Sequence, residues 1–223
     1  MRPHQIRPGI LREQWPLFAL LAALTFIWVA QWLGPEDWAD RFMVVPAEIA
    51  QSWNNFRAGA FTSADLTSFS TLLSYAFLHA NAEHLVFNAL YLWIFAALAI
   101  RHLGKGWFIV IYLLTAIAGG VVHTLLGPEK IIPMLGASGA VMGFEGAYLG
   151  LALRYRLANP HVWPMAHPIP PAQLATLAVI GVAIDFHDVF TGAESFVAHG
   201  AHIGGFLMGL FITSFVRANE EPR

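Results

Sequence analysis

The sequence predicts an all-α membrane protein, a bundle of six transmembrane helices with both termini in the cytoplasm. Three observations carry this. Of 223 residues, 57% are hydrophobic and only 12% are charged, about half the roughly 25% charge of soluble domains. Six segments, at 15–33, 84–100, 107–126, 131–153, 171–184 and 196–216, are apolar over all or most of the length needed to cross a bilayer, which is ~20 residues for ~30 Å of hydrocarbon. The basic residues fall mainly on one side of this alternation.

Taken in order, the first segment follows Arg2, Arg7 and Arg12. It lacks the small-x-small exit of a cleaved signal and reads as an uncleaved anchor. The second and fifth are short at these bounds and are expected to extend outward, the second through Tyr75, Ala76, Phe77 and Leu78. Backbone groups in lipid have to be satisfied within their own segment, so all six are expected to be helices. The expected organisation is a cytoplasmic segment at 1–14, a membrane domain at 15–217 with a long outer loop at about 34–71, and a cytoplasmic tail at 218–223.

Six spans place Arg2, Arg7, Arg12, Arg101, Lys105, Arg154, Arg156, Arg217 and Arg223 on the side of the termini, against Arg41, Arg57 and Lys130 on the other. Nine against three puts the termini inside by the positive-inside rule. The long outer loop carries Glu36, Asp37, Asp40, Glu48 and Asp65. Its Trp38, Phe42, Trp53, Phe56, Phe61 and Phe69 suggest a structured element lying at the membrane interface, where amphipathic rings settle. The link at 159–171, with Pro160, Pro164, Pro168, Pro170 and Pro171, is too proline-rich for a helix. The absence of cysteine excludes a disulfide framework and a thiol nucleophile. A net charge of −2 without a basic run speaks against nucleic-acid binding. No cofactor or metal is expected.

Within this greasy background the polar residues stand out. Ser138 lies in Gly136-Ala137-Ser138-Gly139-Ala140, about seven residues into the fourth span, a depth of ~10 Å at ~1.5 Å per residue. His202, about six residues into the sixth span, reaches a similar level. In the second span His84 stands at the mouth and Asn88 one turn deeper on the same face. Four polar side chains from three helices therefore converge on one outer layer. Gly139, Gly143, Gly146 and Gly150 form one small-residue stripe and Ala201, Gly205 and Gly209 another, which lets two helices approach closely. If the two stripes pack together, Ser138 and His202 come within reach, the geometry an activated nucleophile requires. A lone serine in such a helix usually back-bonds to its own turn, whereas an intramembrane histidine is costly and functional by default. The Gly-x-Ser-x-Gly elbow of soluble hydrolases is not met, because position 140 is alanine.

Gly136-Ala137-Ser138-Gly139, His84-Leu85-Val86-Phe87-Asn88, Ala201-His202-Ile203-Gly204-Gly205 with Gly209, and Phe77-Leu78-His79 together resemble the rhomboid intramembrane serine proteases. The resemblance runs from about residue 71 to 215. It implies a six-helix rhomboid-like bundle in which Ser138 is the nucleophile and His202 its general base and later acid, a dyad without a carboxylate. It also implies an oxyanion site of the Ser138 and Ala137 backbone N–H groups with the His84 and Asn88 side chains. Gly139 and Gly205 would pack beside the dyad. Met142 stands where the family usually has an aromatic ring against the histidine. Ser70-Thr71 replaces a Trp-Arg pair of the outer loop, and Ile100 replaces an acidic residue at the end of the second helix.

Asp185 and Asp188 fall outside the fifth apolar segment, so no third member of the dyad is apparent. Glu145 shares the face of Ser138, two turns deeper, and reads as a neutral or hydrogen-bonded core carboxyl. His102, His123, His161, His167, His187 and His199 read as solvated or structural, and His199 could brace the site from three residues away. The expected partners are the lipid bilayer and membrane-protein substrates with a transmembrane helix. The expected location is a bacterial cytoplasmic membrane with the site facing outside. The alternatives are a non-catalytic binding protein of the same fold and a transporter with a proton or metal path through His84, His202 and Glu145.

Overall fold

The computed structural model describes residues 10–35, 37–160, 167–192 and 197–218. Arg2, Arg7, Glu36, His161, Pro164, Phe196 and Arg223 lie outside the described residues. The helices are α1 (Ile10–Leu33), α2 (Pro46–Arg57), α3 (Ser63–Ser74), α4 (Ala82–Tyr91), α5 (Ala97–Leu103), α6 (Lys105–Leu125), α7 (Ser138–Arg154), α8 (Pro171–Thr191) and α9 (His199–Phe215). A π-helical turn, Leu92–Ala96, joins α4 to α5 into one continuous rod. No strand forms among the described residues beyond an isolated bridge between Val44 and Met134.

Four helices are long and apolar enough to cross a membrane: Arg12–Leu33, Ala82–Leu103, Lys105–Leu125 and Pro171–Thr191. The protein is an integral membrane protein. The expected second span does extend, but toward Leu103 and not through Tyr75. Tyr75–Phe77 is a separate 3₁₀ turn, and extended backbone at Leu78 and at Asn81 breaks the chain before α4. The fourth segment also differs from expectation. Residues 131–137 are not helical, and α7 starts at Ser138 itself, so Ser138 opens its helix where the apolar pattern placed it about seven residues in. Pro133 and Gly136, whose φ is +129°, account for this: one lacks a backbone donor and the other adopts a conformation outside the helical region. At 17 residues each, α7 and α9 cover about 26 Å at ~1.5 Å per residue.

The glycine stripes determine the packing. A Cβ at Gly205 or Gly209 would run into the backbone of Gly139 or Gly143, one at Gly146 into the backbone of Phe206, and one at Gly150 into Thr213. Thus α7 and α9 touch backbone to backbone along their length, as small-residue faces permit where no hydrophobic drive separates helix from lipid. Helix α6 closes the third side: a Cβ at Gly119 would stand 2.8 Å from Ala201 O and 3.0 Å from the Tyr75 hydroxyl. The Tyr75 hydroxyl itself donates to Ala116 O at 2.8 Å. At the other end Arg154 ties α7 to α9 by donating to the carbonyls of Thr213 and Val216. Ile100 is buried in the core. Its apolar side chain needs no partner, which an acid there would.

The long loop is folded. Its α2 and α3 are joined by a cap in which the Asp65 carboxylate accepts from the Thr62 N–H at 2.8 Å, the Thr62 hydroxyl at 2.7 Å and the Asn55 amide at 2.8 Å. These donors, the Thr62 hydroxyl first and the Asn55 amide second, hold the Asp65 carboxyl down at about 2. Thr71 is buried, and its hydroxyl bonds back to Ser68 O at 2.6 Å within its own helix.

Candidate active site

The chain leading to Ser138 is fixed from two directions. Val44 and Met134 exchange backbone bonds of 3.0 and 2.7 Å, Ala47 N–H donates to Lys130 O at 3.0 Å, and Gly136 N–H donates to Tyr75 O at 3.0 Å. The outer loop and the 3₁₀ turn therefore set the entry into α7. The first i to i−4 bond of that helix runs from Val141 N–H to Ala137 O at 3.0 Å. The N–H groups of Ser138, Gly139 and Ala140 precede it and belong to the unpaired first turn of a helix, where the dipole is positive.

His84 lies directly on this entry. An added Cβ at Gly136 would come 2.5 Å from its Cε1 and 2.7 Å from its Nε2, so Gly136 is demanded both by its φ of +129° and by the imidazole. Asn81 caps α4 by accepting from the His84 N–H at 2.8 Å. One turn on, Asn88 is buried and its Nδ2 has no hydrogen-bond partner. His79 packs edge-on to His84 with ring centroids 5.2 Å apart. It is 1% exposed, with both ring nitrogens unpartnered. Burial, reinforced by His84, pushes its pKa down to about 4, so His79 is neutral.

The first turn of α7 meets the first turn of α9, since a Cβ at Gly139 would stand 3.1 Å from Ala201 O. Ser138 and His202 are the sequence neighbours of Gly139 and Ala201 at this contact, and both are half-buried. Met142, one turn below Ser138, packs between α8 and α9 with Ala178, Val182, Ile203 and Phe206. Glu145 is buried against α8, its Oε2 3.9 Å from where a Cβ on Gly181 would lie.

One side chain at the site was not expected. Helix α8 runs past residue 184 to Thr191, and Asp185 is inside the protein, 5% exposed. Its Oδ1 lies 2.9 Å from Nδ1 of His202 and 2.7 Å from Nδ1 of His199. The reading of Asp185 as lying beyond the span is therefore corrected: two imidazoles partner the carboxylate, and paired burial lets the helix continue through a charge. His199 joins this group as well. A signal was present, because Leu174, Ala178, Val182 and Asp185 form the buried stripe of α8 at helical spacing. Of the other histidines, His187 is exposed and bonded to Asp188, His167 is exposed, and His102 is buried.

In this integral membrane protein a serine opens α7, and the first turn of α9, which meets it, carries a histidine bonded to a carboxylate. Residues 66–219 match the rhomboid domain. The chain belongs to the rhomboid family of serine-type intramembrane endopeptidases. It is 28% identical over 217 residues to the rhomboid protease GlpG of Haemophilus influenzae, covering 95% of this chain and 98% of that protein. It is 32% identical over 140 residues to the rhomboid protease GluP of Bacillus subtilis, covering 63% of this chain but 24% of the relative. With the rhomboid protease AarA of Providencia stuartii it shares 27% over 149 residues, 61% of this chain and 52% of that protein.

Proposed function

We propose that this protein is an intramembrane serine endopeptidase that cleaves transmembrane segments of other membrane proteins near the outer face, with Ser138 as nucleophile and His202 as general base. The observation that carries the reading is the meeting of the first turns of α7 and α9 at Gly139 and Ala201, the residues next to Ser138 and His202 in the chain. His202 takes the proton from Ser138 Oγ as the hydroxyl attacks the scissile carbonyl, and returns it to the leaving amine. The oxyanion is received by the N–H of Ser138, with that of Ala137, and by the side chains of Asn88 and His84. The start of α7 at Ser138 supports this, because that N–H is free of intrahelical pairing. The unpartnered Asn88 Nδ2 is a donor held in reserve in the same region.

The proposed topology has six spans, the two short helices α7 and α9 forming the interior of the bundle. Basic residues support an inside position for the termini: Lys105 Nζ donates to Arg12 O at 2.9 Å, grouping two of the nine basic residues assigned to that side. The site then opens outward from a bacterial cytoplasmic membrane. Water reaches it from that face. A substrate helix has to unwind before its carbonyl can be attacked, which favours segments with small or helix-weakening residues. Its route passes beside α8, whose Leu177, Val179, Ile180 and Ile184 face outward.

The test is labelling of the purified protein with a fluorophosphonate probe. The wild type is expected to label, Ser138→Ala not at all and His202→Ala only slowly. Labelling that persists in Ser138→Ala would refute the assignment.

A further inference from the structure

Two imidazoles converge on one carboxylate oxygen. Asp185 Oδ1 lies 2.7 Å from His199 Nδ1 and 2.9 Å from His202 Nδ1, with the Asp185 side chain 7% exposed and the histidines 13% and 17%. An ionised carboxylate can only accept, so each Nδ1 that bonds to it carries the proton. That choice leaves Nε2 of His202 bare, the form in which an imidazole can take a proton from a hydroxyl. The second imidazole, His199, bonds to the same oxygen at 2.7 Å through its own Nδ1, so the carboxylate is held from two sides.

The neighbouring side chain does not supply this control. Met142 lies one turn below Ser138 among Ala178, Val182, Ile203 and Phe206. A thioether on three rotatable bonds fills space without fixing a ring's orientation. A hydrogen bond to a buried carboxylate is directional and fixes both the ring plane and the tautomer.

We propose that Asp185 is a positioning residue for the reaction: it holds His202 as the Nδ1–H tautomer with Nε2 turned to Ser138, and stabilises the imidazolium that forms when the serine proton is taken. The inference rests on the Ser138–His202 reading given above. The proton moves from Ser138 Oγ to His202 Nε2 and then to the leaving amine, and Asp185 takes none. The same three groups are close enough to be considered metal ligands. Their N–O separations of 2.7 and 2.9 Å are hydrogen-bond lengths, whereas two ligands on one tetrahedral zinc ion stand about 3.3 Å apart.

The experiment uses the full chain in detergent or liposomes, with a fluorogenic transmembrane peptide as substrate. Asp185→Asn is expected to lower kcat about 10- to 100-fold with KM unchanged, and to slow fluorophosphonate labelling of Ser138 by the same factor. Nitrogen-15 NMR of labelled histidine is expected to show His202 as the Nδ1–H tautomer in the wild type and the Nε2–H form gaining population in Asp185→Asn. A kcat within about twofold of wild type overturns the proposal, as does activity lost to a chelator and restored by zinc. An Nε2–H tautomer in the wild type overturns it too, and that measurement decides even if the variant fails to fold. Ser138→Ala separates the two levels. If it still cleaves, the dyad itself is wrong. If it is inactive while Asp185→Asn is fully active, only the positioning role fails.

Discussion

Gly205 on α9 lies so close to Gly139 on α7 that a Cβ on Gly205 would run into the carbonyl of Gly139. No side chain can yield there, because the obstacle is backbone. The contact is one residue from Ser138 and three from His202, so the spacing of the two helices and the geometry of the site are the same variable.

Gly205→Ala is therefore expected to cost about 1–3 kcal/mol or more as an overpacked core, and to lower activity further by pushing Ser138 and His202 apart. Gly106 in α6 is the control, since a Cβ there meets nothing within 4 Å. Gly106→Ala is expected to be neutral or stabilising by about 0.4–1 kcal/mol, through a less flexible unfolded chain. Thermal unfolding in detergent, run beside peptide cleavage, checks both.

Asn88→Ala should separate activity from stability. One donor to a developing oxyanion is commonly worth about 3 kcal/mol, or 10²–10³ in kcat. In the resting protein Asn88 Nδ2 is buried without a partner, so its removal relieves an unsatisfied donor. The expected outcome is slowed cleavage, with Ser138 still labelled and the unfolding temperature little changed. Equal losses of stability and activity would instead make Asn88 a structural residue.

His79 gives the fold an acid sensitivity. Its folded pKa is held at about 4, below an ordinary 6.5, by burial and then by His84. The unfolded chain binds the extra proton first, so between those values stability rises with pH. Stability is full above about 6.5 and falls progressively as pH drops toward 4. Thermal unfolding across that window should show the slope, and His79→Phe should flatten it.

Much of the architecture was legible in the order of residues. Apolar runs located α1, α6 and the rod from α4 to α5, because the cost of burying backbone in lipid is a property of each segment alone. The glycine stripes announced that α7 and α9 touch, because small residues at i, i+4 spacing leave the same groove in any helix. The motifs around Ser138, His84 and His202 named the candidate chemistry for the same local reason.

Other features were decided only in three dimensions. Hydropathy sees Pro133 and Gly136 as minor interruptions of an apolar run, but the bridge to Val44 and the His84 ring over Gly136 accompany a non-helical 131–137, and α7 starts only at Ser138. Hydropathy likewise ends the fifth span at Asp185, because a lone carboxylate is too costly to bury. Whether that cost stands depends on donors from elsewhere in the chain, and α9 brings two of them, His199 and His202. The sequence determined which residues could do chemistry, and tertiary packing decided that His202 would have a carboxylate behind it.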